Sequence, residues 1–86
     1  MERDERWQAL FKMVQRVIAD QFKIGTDKVS SNLNILHTFK ADSLDVLQII
    51  MRIEERLNLE IPDEEARRFS TVRDATEYLY GKGATV

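Results

Sequence analysis

Residues 41–57 read Ala-Asp-Ser-Leu-Asp-Val-Leu-Gln-Ile-Ile-Met-Arg-Ile-Glu-Glu-Arg-Leu, a strongly apolar stretch that has a serine flanked by carboxylates near its start. Asp42 can serve as the N-cap of a helix because its carboxylate can accept hydrogen bonds from the free N–H groups of the first turn. Asp45 then falls at the third helical position, where a carboxylate favours the positive end of the helix dipole. Ser43 becomes the first helical residue, expected to point into solvent, where a phosphate attached to its hydroxyl is well tolerated. Taken alone, Asp-Ser at a helix start indicates a cap and no more.

The helix predicted over 43–57 carries more apolar residues than one buried face requires. Its apolar positions form two adjacent stripes at helical spacing, one of Val46, Ile49, Ile50, Ile53 and Leu57 and the other of Leu44, Leu47 and Met51. A wide apolar arc fits a helix that is buried on most sides. It equally fits a helix whose second stripe is exposed for docking to another protein.

A first helix is predicted over about 4–21, with Asp4 as its N-cap. The connection that follows, 24–41, lacks clear periodicity, so its isolated apolar residues are expected to pin it over the core. Short helical turns are expected near 27–29 and 33–36. The apolar residues that mark the first helix, interpreted as core, are Trp7, Leu10, Phe11, Val14, Val17 and Ile18.

Two more helices are predicted in the last third of the chain. A proline followed by three carboxylates predicts a short third helix over about 63–68. A Thr-to-Asp capping box predicts a fourth over about 72–80, with Gly81 as its C-cap. The tail 82–86 is expected to be loose.

The amino-acid composition limits the classes of protein to which this chain can belong. Eighty-six residues, 43% apolar and 33% charged, predict one small domain, 1–86. The four helices predicted from the sequence pattern make it an all-α four-helix bundle with a long loop between helices one and two and a short helix three. The absence of cysteine excludes disulfides, thiolate metal sites and a cysteine nucleophile. The single histidine, His37, has no second histidine or cysteine to join it in a metal site and is interpreted as a surface or loop-packing residue. No apolar run approaches the roughly 20 residues of a membrane span, and the charged N-terminus does not resemble a signal peptide, so a cytoplasmic location is expected.

Charge is distributed unevenly along the chain. Residues 42–65 carry eight acidic and two basic side chains, a net −6, whereas 1–41 and 66–86 each carry a net +2, which together give the overall −2. An acidic middle suggests a partner with a basic surface, since complementary potentials steer encounter. A solvated helix face without a partner explains the charges equally well.

The motif Asp42-Ser43-Leu44, with Ala41 before it and Asp45 after it, is similar to the modification motif of acyl carrier proteins. The resemblance runs from about 14 to 80 in the same order and spacing. It is carried by Val17-Ile18-Ala19-Asp20-Gln21, Asp27-Lys28-Val29, Ile53-Glu54-Glu55, Glu60-Ile61-Pro62-Asp63-Glu64-Glu65-Ala66, Thr71-Val72 and Tyr78-Leu79. It implies that Ser43 carries a covalent 4′-phosphopantetheine derived from coenzyme A, whose thiol holds acyl groups as thioesters for fatty-acid, polyketide or related biosynthesis. The domain itself would catalyse nothing.

The same resemblance implies how the carrier meets its partners. They would be a phosphopantetheinyl transferase and acyl-loading and acyl-processing enzymes with basic docking surfaces, bound by a monomer that contacts no nucleic acid. The implied docking residues are Leu44, Asp45, Leu47, Gln48, Met51, Arg52, Glu54 and Glu55. The implied lining of an interior acyl pocket is Val46, Ile50, Ile53, Leu57, Ala66 and Tyr78.

Other interpretations are weighed beside this one. A peptidyl or D-alanyl carrier has the same architecture, but its motif is richer in glycine and often contains histidine. A helical interaction module without a cofactor explains the helices and the charge equally well. A DNA-binding helix pair is disfavoured because carboxylates flank the central helix, and a serine hydrolase because no base accompanies Ser43.

The chain departs from the family pattern near the motif. Phe39-Lys40 stands where members usually have Leu-Gly, Gln48 stands where many have glutamate, and Arg52 and Arg56 interrupt the acidic run. Glycine reaches positive φ easily and lysine does not, so the entry loop is expected to differ. These differences suggest the hypothesis of a specialised carrier with its own set of partners.

Overall fold

The computed structural model describes residues 5–39 and 42–86, without the side chains of Leu36, Phe39 and Ser43. Within those residues the secondary structure is helical, and a single isolated β-bridge joins Asn34 to Thr71. The all-α class predicted from the sequence is confirmed. The elements are α1 (Glu5–Phe22), a 3₁₀ turn (Thr26–Lys28), α2 (Ile35–Phe39), α3 (Ser43–Leu57), α4 (Asp63–Ala66) and α5 (Val72–Gly81).

Helix α1 is the centre of the packing and contacts both α5 and α3. Its apolar residues recur at three- and four-residue steps, so they share one face, and burying that face supplies most of the free energy that holds the helix in place. Phe11 and Phe22 pack half-buried at the edge of this face. The buried side chains of α1 are Trp7, Leu10, Met13, Val14, Val17, Ile18 and Ala19, of which Met13 and Ala19 were not among the predicted core residues.

Trp7 belongs to the core, as its spacing predicted. Its indole is 1% exposed, and its ring stacks on Phe11 with centroids 5.5 Å apart. The indole Nε1 donates a hydrogen bond to Oε2 of Glu77 on α5 at 3.2 Å. The one polar atom of the ring is therefore satisfied by the neighbouring helix.

The long connection between α1 and α3 is held at two places along its described part. Gln15 of α1 donates from Nε2 to the carbonyl oxygens of Thr26, at 3.1 Å, and Val29, at 2.8 Å. Farther along, backbone bonds join the connection to the segment entering α5, including Ile35 N to Ser70 O at 3.1 Å. The loop is therefore held over the core, and the helical turn predicted near 33–36 is the short helix α2.

The third predicted helix is shorter than expected. It was predicted over 63–68, but α4 ends at Ala66. After it, Arg68 N bonds to Glu65 O at 3.1 Å and Phe69 N to Ala66 O at 3.1 Å, which is the three-residue spacing of a 3₁₀ turn. The chain tightens here so that Phe69 turns inward to pack against the core.

Two expectations about the C-terminal end are wrong. Gly81 lies inside α5, and the left-handed residue is Gly83, with φ 78°. Gly83 N bonds to Tyr80 O and Ala84 N to Leu79 O, both at 3.1 Å, which together form a Schellman motif. The tail is not loose as far as Ala84, because its side chain is 7% exposed and its carbonyl oxygen accepts a 2.8 Å hydrogen bond from Arg6. The N-cap predicted at Asp4 and the entry residues Lys40 and Ala41 lie outside the described residues.

Candidate functional site

The start of α3 is closed by a capping box. Asp42 has extended backbone angles, and its Oδ1 accepts a hydrogen bond from the backbone N of Asp45 at 3.0 Å. In return, Oδ2 of Asp45 accepts from the backbone N of Asp42 at 3.3 Å. Ser43 is the first residue of the helix, as the sequence predicted, and the direction of its side chain lies outside what the structure describes. The two reciprocal bonds fix the backbone that presents this serine.

A glutamine on α1 supports the same turn. Nε2 of Gln21 donates to Oδ1 of Asp45 at 3.2 Å and to Oε1 of Gln48 at 2.6 Å. Asp45 therefore accepts a hydrogen bond from the start of its own helix through Oδ2 and one from α1 through Oδ1. Gln21 carries no obvious signal in the sequence, because a contact 24 residues away depends on how the two helices cross.

The second apolar stripe of α3 is exposed. Leu44 is 58% exposed, Leu47 49% and Met51 51%, and with Val86 these are the large apolar side chains most open to solvent in the described part of the chain. An exposed apolar group with a polar rim is typical of a contact surface for another protein. Gln48, Arg52 and Glu55, also predicted for docking, are exposed beside Met51 and form a shallow concavity with it.

Glu54 differs from the other predicted docking residues. It is half-buried, and its Oε2 accepts a hydrogen bond from the backbone N of Ile61 at 2.7 Å. The residue after α3's last turn, Asn58, is left-handed with φ 54°, and the chain turns there. The carboxylate of Glu54 thus secures the connection between α3 and α4.

The first stripe of α3 faces an interior cavity of about 20 Å³. That volume is close to what one water molecule needs, and the walls are almost wholly apolar. Of the six residues predicted for an acyl pocket, Val46, Ile50 and Ile53 line this cavity. The other lining residues are Val14, Ile18, Ile35, Ile49, Phe69 and Ala75.

The remaining three predicted pocket residues lie outside the cavity wall. Leu57 and Ala66 pack half-buried against the core. Tyr78 borders a separate open concavity with Glu65, and its hydroxyl oxygen is buried without a well-formed hydrogen bond. Burial, with a smaller contribution from the Glu65 carboxylate, raises the pKa of Tyr78 to about 12. The hydroxyl therefore stays protonated at neutral pH.

Metal-binding clusters and long apolar helices were also sought among the described residues. Across residues 5–39 and 42–86, no cluster of three His, Asp or Glu side chains is arranged to hold a metal ion. His37 is exposed in α2. Over the same residues, no helix combines the length and the apolar character needed to cross a bilayer.

The sequence of this chain matches a known protein family and proteins of known type. The family described as "Phosphopantetheine attachment site" matches residues 13–79. The chain belongs to the acyl carrier protein family. It is 39% identical over 75 residues to the acyl carrier protein of Bdellovibrio bacteriovorus, covering 87% of this chain and 96% of that one. It is 39% identical over 70 residues to the acyl carrier protein of Clostridium perfringens, covering 81% and 92%.

Solved structures agree with the relatives. The acyl carrier protein from Enterococcus faecalis superposes with a TM-score of 0.74 at 31% identity, covering 87% of this carrier and 95% of that chain. A solution structure described as that of an acyl carrier protein from Anaplasma phagocytophilum gives a TM-score of 0.83 at 28% identity. The match covers 99% of this chain and 100% of that chain. The protein is thus a carrier that bears 4′-phosphopantetheine and interacts with biosynthetic enzymes, and it is not itself an enzyme. These matches decide against the module without a cofactor and favour the acyl class over peptidyl and D-alanyl carriers.

The start of α3 fits the prosthetic group that the family carries. Both described neighbours of Ser43, namely Asp42 and Leu44, are exposed, so the backbone at this position lies at the surface. The N-terminus of α3 provides the positive end of a helix dipole near a phosphate attached there. Since the chain lacks cysteine, the prosthetic group supplies the only thiol.

Proposed function

We propose that Ser43 is the residue that carries 4′-phosphopantetheine. The single observation that supports this assignment best is the Asp42–Asp45 capping box, which holds the backbone at the start of α3, where Ser43 is the first helical residue. In the loading step the Ser43 hydroxyl would give up its proton to a base of the transferase, and its oxygen would form a bond to the phosphorus of the phosphopantetheine. The bond between the two phosphates of coenzyme A breaks, and the adenosine bisphosphate portion leaves. When attached, the group supplies a thiol that holds an acyl chain as a thioester.

Intact-mass measurement after incubation with coenzyme A and a phosphopantetheinyl transferase tests this assignment. The wild-type chain should gain the mass of one phosphopantetheine, and Ser43→Ala should gain nothing. Ser30→Ala, in the exposed part of the connection, is the matched control and should be modified as fast as the wild type. A mass gain that persists in Ser43→Ala would place the attachment elsewhere.

The exposed stripe of α3 is the proposed docking surface for the transferase and the acyl-processing enzymes. Leu44, Leu47 and Met51 would enter an apolar depression on the partner, while the rim of Asp45, Gln48, Arg52 and Glu55 sets orientation. Because this rim carries both acidic and basic side chains, a complementary partner surface would carry both basic and acidic groups. Tethering the substrate at Ser43 raises its effective concentration at each docked enzyme.

The interior cavity is the proposed starting point of an acyl pocket. Since it holds about 20 Å³, an acyl chain could enter only if α3 moved away from its neighbours. Val46, Ile50 and Ile53 would be the first side chains to contact it. Chemical-shift changes confined to these residues on loading with a medium-length acyl group would support this proposal, and changes confined to the surface would contradict it.

The pathway is proposed to be a specialised one. Arg52 and Arg56 introduce positive charge into the last half of α3, so enzymes built for a uniformly acidic carrier should bind this one less well. Loading by fatty-acid synthesis enzymes at ordinary rates, with unchanged kinetics for Arg52→Ala, would contradict this proposal. A monomer in the cytoplasm is the proposed working form, to be checked by sedimentation and by cell fractionation.

A further inference from the structure

A second concave surface lies far from the start of α3. It is an open groove of about 590 Å³ between α1, the 3₁₀ turn, the last turn of α3 and the C-terminal tail. Arg56 lines it from α3 and is thirteen residues beyond Ser43, which corresponds to about 20 Å along the helix. We call this surface the cationic groove. Its position leaves the start of α3 free.

The charged side chains of the cationic groove all have the same sign. Lys12 and Arg16 stand one turn apart on α1, and Arg56 faces them from α3. All three are exposed, and no described carboxylate forms an ion pair with any of them. In a chain with a net charge of −2, three cations that line one groove with no acidic side chain among its lining residues form a local positive field.

The groove is also built on fixed elements. Gln15, in its wall, makes the two hydrogen bonds that hold Thr26 and Val29 against α1. Met13, 5% exposed, provides apolar surface at the floor, and Val86, 71% exposed, provides it at the edge. The groove thus combines an apolar base with a cationic rim.

We propose that the cationic groove binds an acidic, amphipathic segment of a partner protein. Carboxylates on such a segment pair with Lys12, Arg16 and Arg56, and its apolar side chains rest on Met13 and Val86. A nucleic acid does not fit, because the acidic residues of 42–65 repel a polyphosphate and only three cations face the groove. A bilayer does not fit either, because the apolar surface is small and lies within a concavity.

This surface gives the carrier a function beyond presenting its acyl group. A partner held in the cationic groove and an enzyme docked at the start of α3 occupy opposite ends of the same helix. The carrier can therefore be retained by an acidic element of an assembly while its prosthetic group visits successive active sites. Retention of this kind raises the local concentration of the carrier without using the docking surface.

Fluorescence anisotropy of a labelled peptide tests the proposal on the full chain. The probe is a peptide of about three helical turns with Leu on one face and Glu on the other, and the comparison peptide has Lys in place of Glu. The Glu peptide should bind the wild type and weaken with added salt, and the Lys peptide should not bind. Failure of the Glu peptide to bind, or equal binding of both peptides, would overturn the proposal.

Charge reversal locates the binding site. Lys12→Glu/Arg16→Glu should weaken binding of the Glu peptide by about tenfold or more, since two attractive contacts become repulsive. Arg67→Glu/Arg68→Glu, which changes two exposed cations after α4 and shifts the net charge by the same amount, should change it by less than about twofold. Equal losses in the two double variants would show that only net charge matters and would overturn the proposal.

Two further measurements keep the test independent of folding and of the proposed attachment site. Should Lys12→Glu/Arg16→Glu fail to fold by circular dichroism, Arg56→Glu, at an exposed helix end, replaces it, with an expected loss of about threefold or more. Amide chemical shifts should move at residues 9–16 and around Arg56. Shifts confined to the start of α3, or stronger binding to vesicles of anionic lipid than to the peptide, would overturn the proposal.

Discussion

The side-chain Nε2 of Gln21 donates a hydrogen bond to Oδ1 of Asp45 at 3.2 Å, which joins the end of α1 to the first turn of α3. Asp45 already closes the capping box with Asp42 through its other oxygen. The backbone of Ser43, which follows Asp42, is therefore held by contacts that involve two helices. A substitution at the end of α1 should therefore change the stability of the first turn of α3.

Replacing Gln21 should loosen that turn. Gln21→Ala removes two hydrogen bonds and is expected to lower the free energy of unfolding by about 1 kcal/mol, since a net side-chain hydrogen bond contributes roughly that much and one acceptor of Gln21 is already unsatisfied. Denaturant unfolding measures the loss, and amide exchange at 43–46 should speed up. Gln8→Ala on the same helix is the control, because Gln8 makes no hydrogen bond from its side chain to the described residues. Equal effects of the two variants would refute the role given to Gln21.

The two faces of α3 should respond to substitution in opposite ways. Leu47→Ser/Met51→Ser changes exposed side chains, so the free energy of unfolding should move by no more than about 0.5 kcal/mol per site, while loading of Ser43 by the transferase slows. Ile53→Ala removes a side chain with 0% exposure and should cost about 2–5 kcal/mol. Unfolding curves and loading rates on the same samples separate the two effects. A surface variant that loads normally would argue against docking through this stripe.

The two glycines at the end of α5 make a matched pair. Gly81 lies within the helix and an added Cβ meets nothing within 4 Å, so Gly81→Ala should stabilise the protein by about 0.5–1 kcal/mol. Gly83 has φ 78°, so Gly83→Ala should destabilise it by about 1–2 kcal/mol despite equal free space. Thermal unfolding of both variants gives the comparison. If the two changes had the same sign, the Schellman assignment would be wrong.

Tyr78 should make stability depend on pH in the alkaline range. The pKa of Tyr78 is raised from 10.0 to about 12 in the folded protein, so between these values the folded state binds more protons than the unfolded state. Stability is therefore lost as the pH rises from about 10 to about 12, and Tyr78→Phe should remove that part of the loss. Ultraviolet titration of Tyr80→Phe, in which Tyr78 is the only tyrosine, reports its pKa directly. An ordinary titration near pH 10 would contradict the burial of this hydroxyl.

Local signals in the sequence account for much of what could be predicted. The capping boxes at Asp42–Asp45 and Thr71–Asp74 depend on residues three apart, and both are present. Helical spacing also separated the apolar residues of α3 into two stripes, although it left open whether the second stripe is buried or exposed. These features need no knowledge of how the helices are arranged.

Features that depend on helix packing could not be predicted in the same way. Residues separated by tens of positions form the bond from Gln21 to Asp45 and the cationic groove of Lys12, Arg16 and Arg56, and only the crossing of α1 and α3 brings them together. The lining of the interior cavity could be predicted only in part. Helical spacing identified Ile50 and Ile53 as inward-facing residues, but it could not show which side chains of other elements line the same cavity. The end of α5 was misjudged because Gly81 and Gly83 are both plausible stops, and only the backbone angle distinguishes them.

Arg6 connects the first turn of α1 to the end of α5. Its guanidinium Nη1 donates to the carbonyl oxygens of Tyr80, at 3.3 Å, and Ala84, at 2.8 Å, and the group lies 3.9 Å above the ring centroid of Tyr80. One side chain thus binds segments that are 78 residues apart. Fraying of the first turn of α1 must release the end of α5 at the same time, so the two ends of the described chain should exchange their amide protons as a single cooperative unit.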